Sequence, residues 1–136
     1  IQAEWEERIR KKDGGCKKAV LYGTNGSVLM QYGERYLEKL QDVFDMFRDR
    51  QNEVICWWRP QPLQTIREVM APRYMQTYLQ YENLVRTYRE ENWGIYDEDE
   101  NGELAADMCD AYYGDGSSMV RFFYKQKKPI LIQTVD

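Results

Sequence analysis

Gly114-Asp115-Gly116-Ser117-Ser118 places an acid and two hydroxyls in a corner bracketed by glycines. Glycine lets a ligand approach the backbone closely, and a serine opening the next helix leaves free N–H groups and a positive helix end for an anion. Phosphate oxygens suit that arrangement. Asp115 repels them unless its carboxylate turns to a ribose or glycerol hydroxyl, or to a metal. A capped strand–helix turn, with Asp115 or a serine as N-cap, uses the same letters.

Two further stretches invite the same question. In Trp57-Trp58-Arg59-Pro60-Gln61-Pro62-Leu63, Arg59 is a permanently charged donor suited to phosphate, and two prolines hold the loop extended. Gln61 can hydrogen-bond a ligand but cannot exchange protons near neutral pH. The plainer reading pairs Arg59 with a surface acid. The segment "YGTNGSV" at 22–28 resembles a glycine-rich phosphate loop only loosely, matching neither GxGxxG nor the Walker pattern with its lysine. Thr24, Asn25 and Ser27 could line a cleft, although a plain strand-to-helix loop is the simpler reading.

Composition removes several classes of chemistry. The chain has no histidine, which excludes Ser–His and Cys–His relays, most zinc sites and the commonest general base. Three cysteines, Cys16, Cys56 and Cys109, are odd in number and lack CxxC spacing, favouring a reducing compartment over a disulfide framework. A net charge of −4 argues against a broad nucleic-acid interface. No stretch approaches the about 18 apolar residues of a membrane-spanning helix. The acid run at 97–103 lacks the full ligand spacing of a calcium loop and reads as a solvated loop before a helix. No metal site and no cofactor are expected.

These loops need a scaffold, and the pattern of elements supplies one. With 43% hydrophobic and 31% charged residues over 136 positions, the chain suits one globular domain. Apolar runs at 18–23, 53–58, 93–97, 110–115 and 129–135 read as strands. Leu37, Leu40, Val43, Phe44 and Phe47 recur at helical spacing within 34–50. Tyr74, Tyr78, Tyr81, Val85 and Tyr88 form a core-facing stripe in a helix over about 72–91, with Pro72 in its first turn. Shorter helices are expected over 102–109 and 117–126. Strand–helix alternation predicts a single Rossmann-like three-layer α/β domain with a mostly parallel sheet of about five strands, over 17–136. Residues 1–16 read as an N-terminal connecting segment. The three loops then gather beyond the carboxyl ends of the strands.

Taken in order, "KKAVLYGTNGS", "WWRPQPL", "WGIYDEDE" and "CDAYYGDGSSMVRFFYKQKKPILIQ" resemble the carboxyl-terminal half of the CDP-glycerol glycerophosphotransferase (teichoic-acid polymerase-like) family. The likeness spans roughly residues 17–135, and its most specific part is 110–133. The family's Asp-x-Ser-Ser signature falls on Asp115, Ser117 and Ser118. The resemblance implies the donor-binding domain of a two-domain GT-B architecture, acting on a CDP-linked polyol donor. It also implies a bacterial, cytoplasmic protein, peripheral at the inner membrane face through a missing amino-terminal half. The family's His-Pro dipeptide falls on Gln61-Pro62, so the shape of the loop persists without its acid–base group.

The resemblance therefore implies a donor-binding surface without a working active site. Ser117, Ser118 and the helix amides would hold the diphosphate with help from Arg59, and Gly116 belongs to the same binding set. Asp115 and Thr24 would contact hydroxyls, and Asn25 and Gln61 would complete the binding set. The alternative is a non-catalytic α/β module that binds no nucleotide and pairs with a missing half or with itself.

Overall fold

The computed structural model describes residues 3–11 and 13–135. Among them the chain forms α1 (Ala3–Ile9), β1 (Lys18–Gly23), α2 (Gly26–Tyr32), α3 (Glu34–Asp49), β2 (Val54–Arg59) and α4 (Leu63–Met70). It continues with α5 (Met75–Glu91), β3 (Ile95–Tyr96), α6 (Gly102–Met108), β4 (Ala111–Gly114), α7 (Val120–Lys125) and β5 (Ile130–Ile132). The strands make one sheet in the order β3-β2-β1-β4-β5, and every pairing is parallel. The fold is Rossmann-like α/β. The sheet is wholly parallel rather than mostly so.

Strand alternation divides the core into two layers. Ala19, Leu21, Ile55 and Trp57 face one side, where α1, α6 and α7 supply Trp5, Ala105, Ala106 and Phe123. Tyr22, Cys56 and Trp58 face the other, against the aromatic and aliphatic stripes of α3 and α5. Both faces are covered, which is why β1 and β2 read as unbroken apolar runs instead of alternating ones. Trp58 is fully buried and packs edge-on against Phe44, Tyr88 and Tyr96, at centroid distances of 4.8, 5.1 and 5.5 Å.

Several elements depart from the sequence expectation. Helix α1 falls within the segment at 1–16, and its Trp5 ring meets that of Trp57 at 5.1 Å. Helix α5 starts at Met75, and Pro72 lies in the turn after α4 instead of in a first helical turn. Tyr78, Tyr81, Val85 and Tyr88 are buried as the stripe requires, but Tyr74 is 42% exposed. Helix α7 begins at Val120, three residues later than expected. No helix among the described residues is long and apolar enough to cross a membrane.

Strand order sets where loops diverge. From β1 the chain crosses to β2 and β3 on one side, and β4 and β5 lie on the other. The β1–β4 boundary is therefore the switch point of the sheet, the usual place for a ligand crevice. In the last register row, Arg59, Gly23, Gly114 and Ile132 stand side by side across four strands. Gly114 has φ 142°, and a Cβ there would run into the backbone of Gly23. Only glycine lets these two strand ends meet so closely.

Candidate functional site

A cleft of about 620 Å³ opens beyond this row. Its walls come from the loops after β1, β2, β3 and β4: Thr24 and Asn25, Arg59 to Pro62, Glu98 to Glu100, and Ser117 to Met119. Gly102, Arg121 and Phe122 complete it. The three stretches singled out in the sequence thus converge on one concavity. Glu98, Arg121 and Phe122 were not foreseen, because exposed helix residues and an acid run carry no local mark of a cleft.

The loop after β1 is closed to an anion. The Asn25 N–H donates to Asp115 Oδ2 at 2.8 Å, and the Gly26 N–H donates to Gln61 Oε1 at 2.8 Å. The Ser27 N–H donates to Asn25 Oδ1 at 3.0 Å, making Asn25 the N-cap of α2, and the Val28 N–H reaches the Asn25 carbonyl. Four successive amides are thereby engaged within the protein. Thr24 Oγ1 accepts from the Trp58 indole at 3.0 Å, which fixes this side chain at the cleft floor. Gln61 stands where a helix-capping acceptor is needed, bridging the loops after β1 and β2.

Arg59 is also held. Its Nη1 donates to Asp97 Oδ2 at 3.0 Å, and the Asp97 side chain is 2% exposed. The plainer sequence reading expected an acid partner at the surface, whereas this one is buried. Asp97 starts a ladder of capping interactions through the acid run. Its Oδ1 accepts from the Asp99 N–H, Asp99 Oδ1 accepts from the Asn101 N–H, and Asn101 Oδ1 caps α6 at Leu104. Glu98 Oε1 accepts from the Leu63 N–H at the start of α4. The run is therefore a folded, self-capped loop. Among the described residues no three metal-ligating side chains cluster.

Asp115 lies inward instead of facing a ligand, which corrects its expected role as a hydroxyl contact. It is 5% exposed. Oδ1 accepts from Gln133 Nε2 at 2.9 Å, and Oδ2 accepts from the Asn25 N–H and the Tyr36 hydroxyl. Gln133 in turn takes a 2.9 Å hydrogen bond from the Tyr22 hydroxyl on its Oε1. Burial, reinforced by the neighbouring carboxylate, pushes the Tyr36 phenol well above its ordinary value, so it stays a donor. A carboxylate surrounded by three donors is stable without a cationic partner.

The loop after β4 is different. The Asp115 N–H donates to the Gly23 carbonyl, but the amides of Gly116, Ser117 and Ser118 donate to no acceptor among the described residues. The two serines also separate. The Tyr112 hydroxyl donates to the Asp115 carbonyl and lies 3.1 Å from Ser117 Oγ, so Ser117 supplies the proton of that second contact. Ser117 Oγ accepts from the Met119 N–H at 3.2 Å, tying the turn together. Neither serine caps α7, whose N-cap position is Met119. Ser118, exposed at the cleft lip, makes no hydrogen bond to the described residues. Arg121 makes no ion pair with them and lies over the Phe122 ring at 4.9 Å.

Two of the three thiols are shielded from reaction. Cys56 and Cys109 are buried; burial pushes the Cys56 thiol up to about 12 and raises Cys109 as well. Cys16 is exposed and lines no part of the cleft. No protein-family model, curated protein or solved structure matches this chain.

Proposed function

We propose that this domain binds a phosphate-bearing ligand of the nucleotide-donor class in the switch-point cleft, and that it contributes binding rather than catalysis. The observation that carries this reading is the contrast between the two loops. Residues 25–28 have their amides engaged, whereas Gly116, Ser117 and Ser118 offer three successive N–H groups with no acceptor among the described residues. Such a run of amides is a ready cradle for phosphate oxygens. Ser118 adds a hydroxyl, and Arg121 adds a cation on the same wall. The acids opposite, Glu98 to Glu100, suit the hydroxyls of a ribose or polyol better than a second anion.

Resemblance to the glycerophosphotransferases adds a CDP-linked polyol donor as the ligand to try first. Catalysis is left out because Gln61 caps α2 and the chain contains no histidine to move a proton. The test is titration with CMP, CDP, CDP-glycerol, UDP and inorganic phosphate, following backbone amides by NMR. Shifts centred on Gly116–Ser118 support the reading, and silence at millimolar ligand removes it.

One observation favours a non-catalytic interaction module instead. At the sheet's open edge, Leu131 is 65% and Ile132 46% exposed, and Tyr124 on the adjoining helix is 77% exposed. An edge strand with bare apolar side chains invites a partner. In that case sedimentation would show self-association, and the cleft amides would stay silent to every nucleotide.

A further inference from the structure

The cleft has two lips, the loop at 24–27 and the loop at 115–118, and one side chain touches both. We infer that Asp115 is a positioning residue that couples the lips, with Tyr36 and Gln133 holding its carboxylate in register. This deepens the proposed function, on which its ligand arm rests. The geometry is specific. Oδ2 binds the Asn25 N–H at 2.8 Å across the switch point, and Asn25 carries the N-cap of α2 on its own side chain. The Tyr36 hydroxyl reaches the same oxygen from α3, 79 residues away in sequence. Gln133, just past β5, holds Oδ1 at 2.9 Å and is itself oriented by Tyr22.

Three separate segments therefore donate to one carboxylate, next to the loop that brings Ser117 and Ser118 to the cleft wall. The backbone repeats the link, since the Asp115 N–H donates to the Gly23 carbonyl at 2.8 Å. Movement of residues 116–118 toward a ligand pulls directly on the acceptor of the Asn25 amide. A residue engaged only with its own loop would transmit nothing. Asp115 thus sets the width of the gap without contacting the ligand.

The experiment is amide hydrogen exchange on the whole chain, comparing wild type with Tyr36→Phe and Asp115→Asn. Tyr36→Phe removes one donor and keeps the ring in the core, which protects the fold. We expect exchange at Asn25 to quicken by about tenfold or more in both variants, as befits weakened hydrogen bonding to a buried charge. The amides of Trp57 on β2 and Ile95 on β3 should keep their protection. Unchanged exchange at Asn25 would overturn the inference, and so would acceleration spread evenly over the sheet.

A parallel titration with CDP-glycerol separates this claim from the functional one. If wild type binds and Tyr36→Phe binds less tightly, with smaller shifts at Asn25, the coupling reaches the ligand. If wild type binds nothing, the functional reading fails while the exchange result still decides the coupling. Equal affinity and equal Asn25 shifts in wild type and Tyr36→Phe would overturn the coupling alone.

Discussion

Arg59 Nη1 lies 3.0 Å from Oδ2 of Asp97, and that oxygen also accepts from the Trp57 indole at 2.9 Å. The pair joins the end of β2 to the loop after β3 and places a guanidinium along the cleft with its charge already balanced. Losing the anion leaves Arg59, 14% exposed at its side chain, without a partner. Breaking a buried ion pair from one side costs about 3–5 kcal/mol, and the partial exposure of Arg59 brings this site to the low end or just below it. Asp97→Asn should therefore lower urea stability by about 2–3 kcal/mol. Arg59→Met should cost less, because Asp97 keeps two N–H donors. The reverse order of losses would show that Arg59, not Asp97, anchors the loop.

The two serines of the β4 loop should behave differently. Ser118→Ala removes a hydroxyl with no partner among the described residues, so thermal stability should hold. Nucleotide affinity should fall about tenfold, the effect of one hydrogen bond to a charged group. Ser117→Ala breaks contacts to Tyr112 and Met119 and should cost about 1 kcal/mol in unfolding. Calorimetry and ligand titration on the same two variants check both statements.

Gly114→Ala tests the close approach of β1 and β4. The residue would carry a side chain at φ 142° against the backbone of Gly23. Strain of this kind costs about 1–3 kcal/mol before the collision is counted. A marked drop in melting temperature is expected, with loss of the Asn25–Asp115 bond as its local sign. An unchanged melting temperature would show that the strand ends part without penalty.

Alkaline stability should follow the buried tyrosines. Burial first of all raises the phenols of Tyr22, Tyr36, Tyr81 and Tyr88 above their ordinary 10.0. The unfolded chain therefore releases these protons at lower pH than the folded one. Their contribution to stability is complete below about pH 10 and is lost as pH climbs above it. Denaturation curves at increasing pH should show a decline beginning near that point. Phenolate absorbance should rise in a cooperative step with unfolding. A single smooth titration of all eleven tyrosines would contradict this.

Much of the scaffold was legible because the information is local. β1 occupies 18–23 as read, and α3 is marked by an apolar stripe that no turn residue interrupts. Helix α2 was hidden because Asn25-Gly26-Ser27 resembles a loop, although Asn25 turns out to be its cap. Helix α4 was hidden behind Pro60-Gln61-Pro62, which reads as a loop until the chain turns helical at Leu63. The site was harder. Asp115 sits in a glycine-rich turn like any exposed acid, and only Tyr36 and Gln133, remote in sequence, make it a buried acceptor. Arg59 and Gln61 likewise owe their roles to Asp97 and Gly26 across the sheet. The choice between free and engaged amides is likewise a property of three dimensions.

NMR titration of the switch-point cleft with CDP-glycerol, with CMP, CDP, UDP and phosphate alongside, tests phosphate binding by the 116–118 loop most directly. Saturable shifts are expected at Gly116, Ser117 and Ser118, with smaller ones at Asn25 and little effect along β3. Absence of any shift at Gly116–Ser118 with all five ligands at millimolar concentration would contradict such binding.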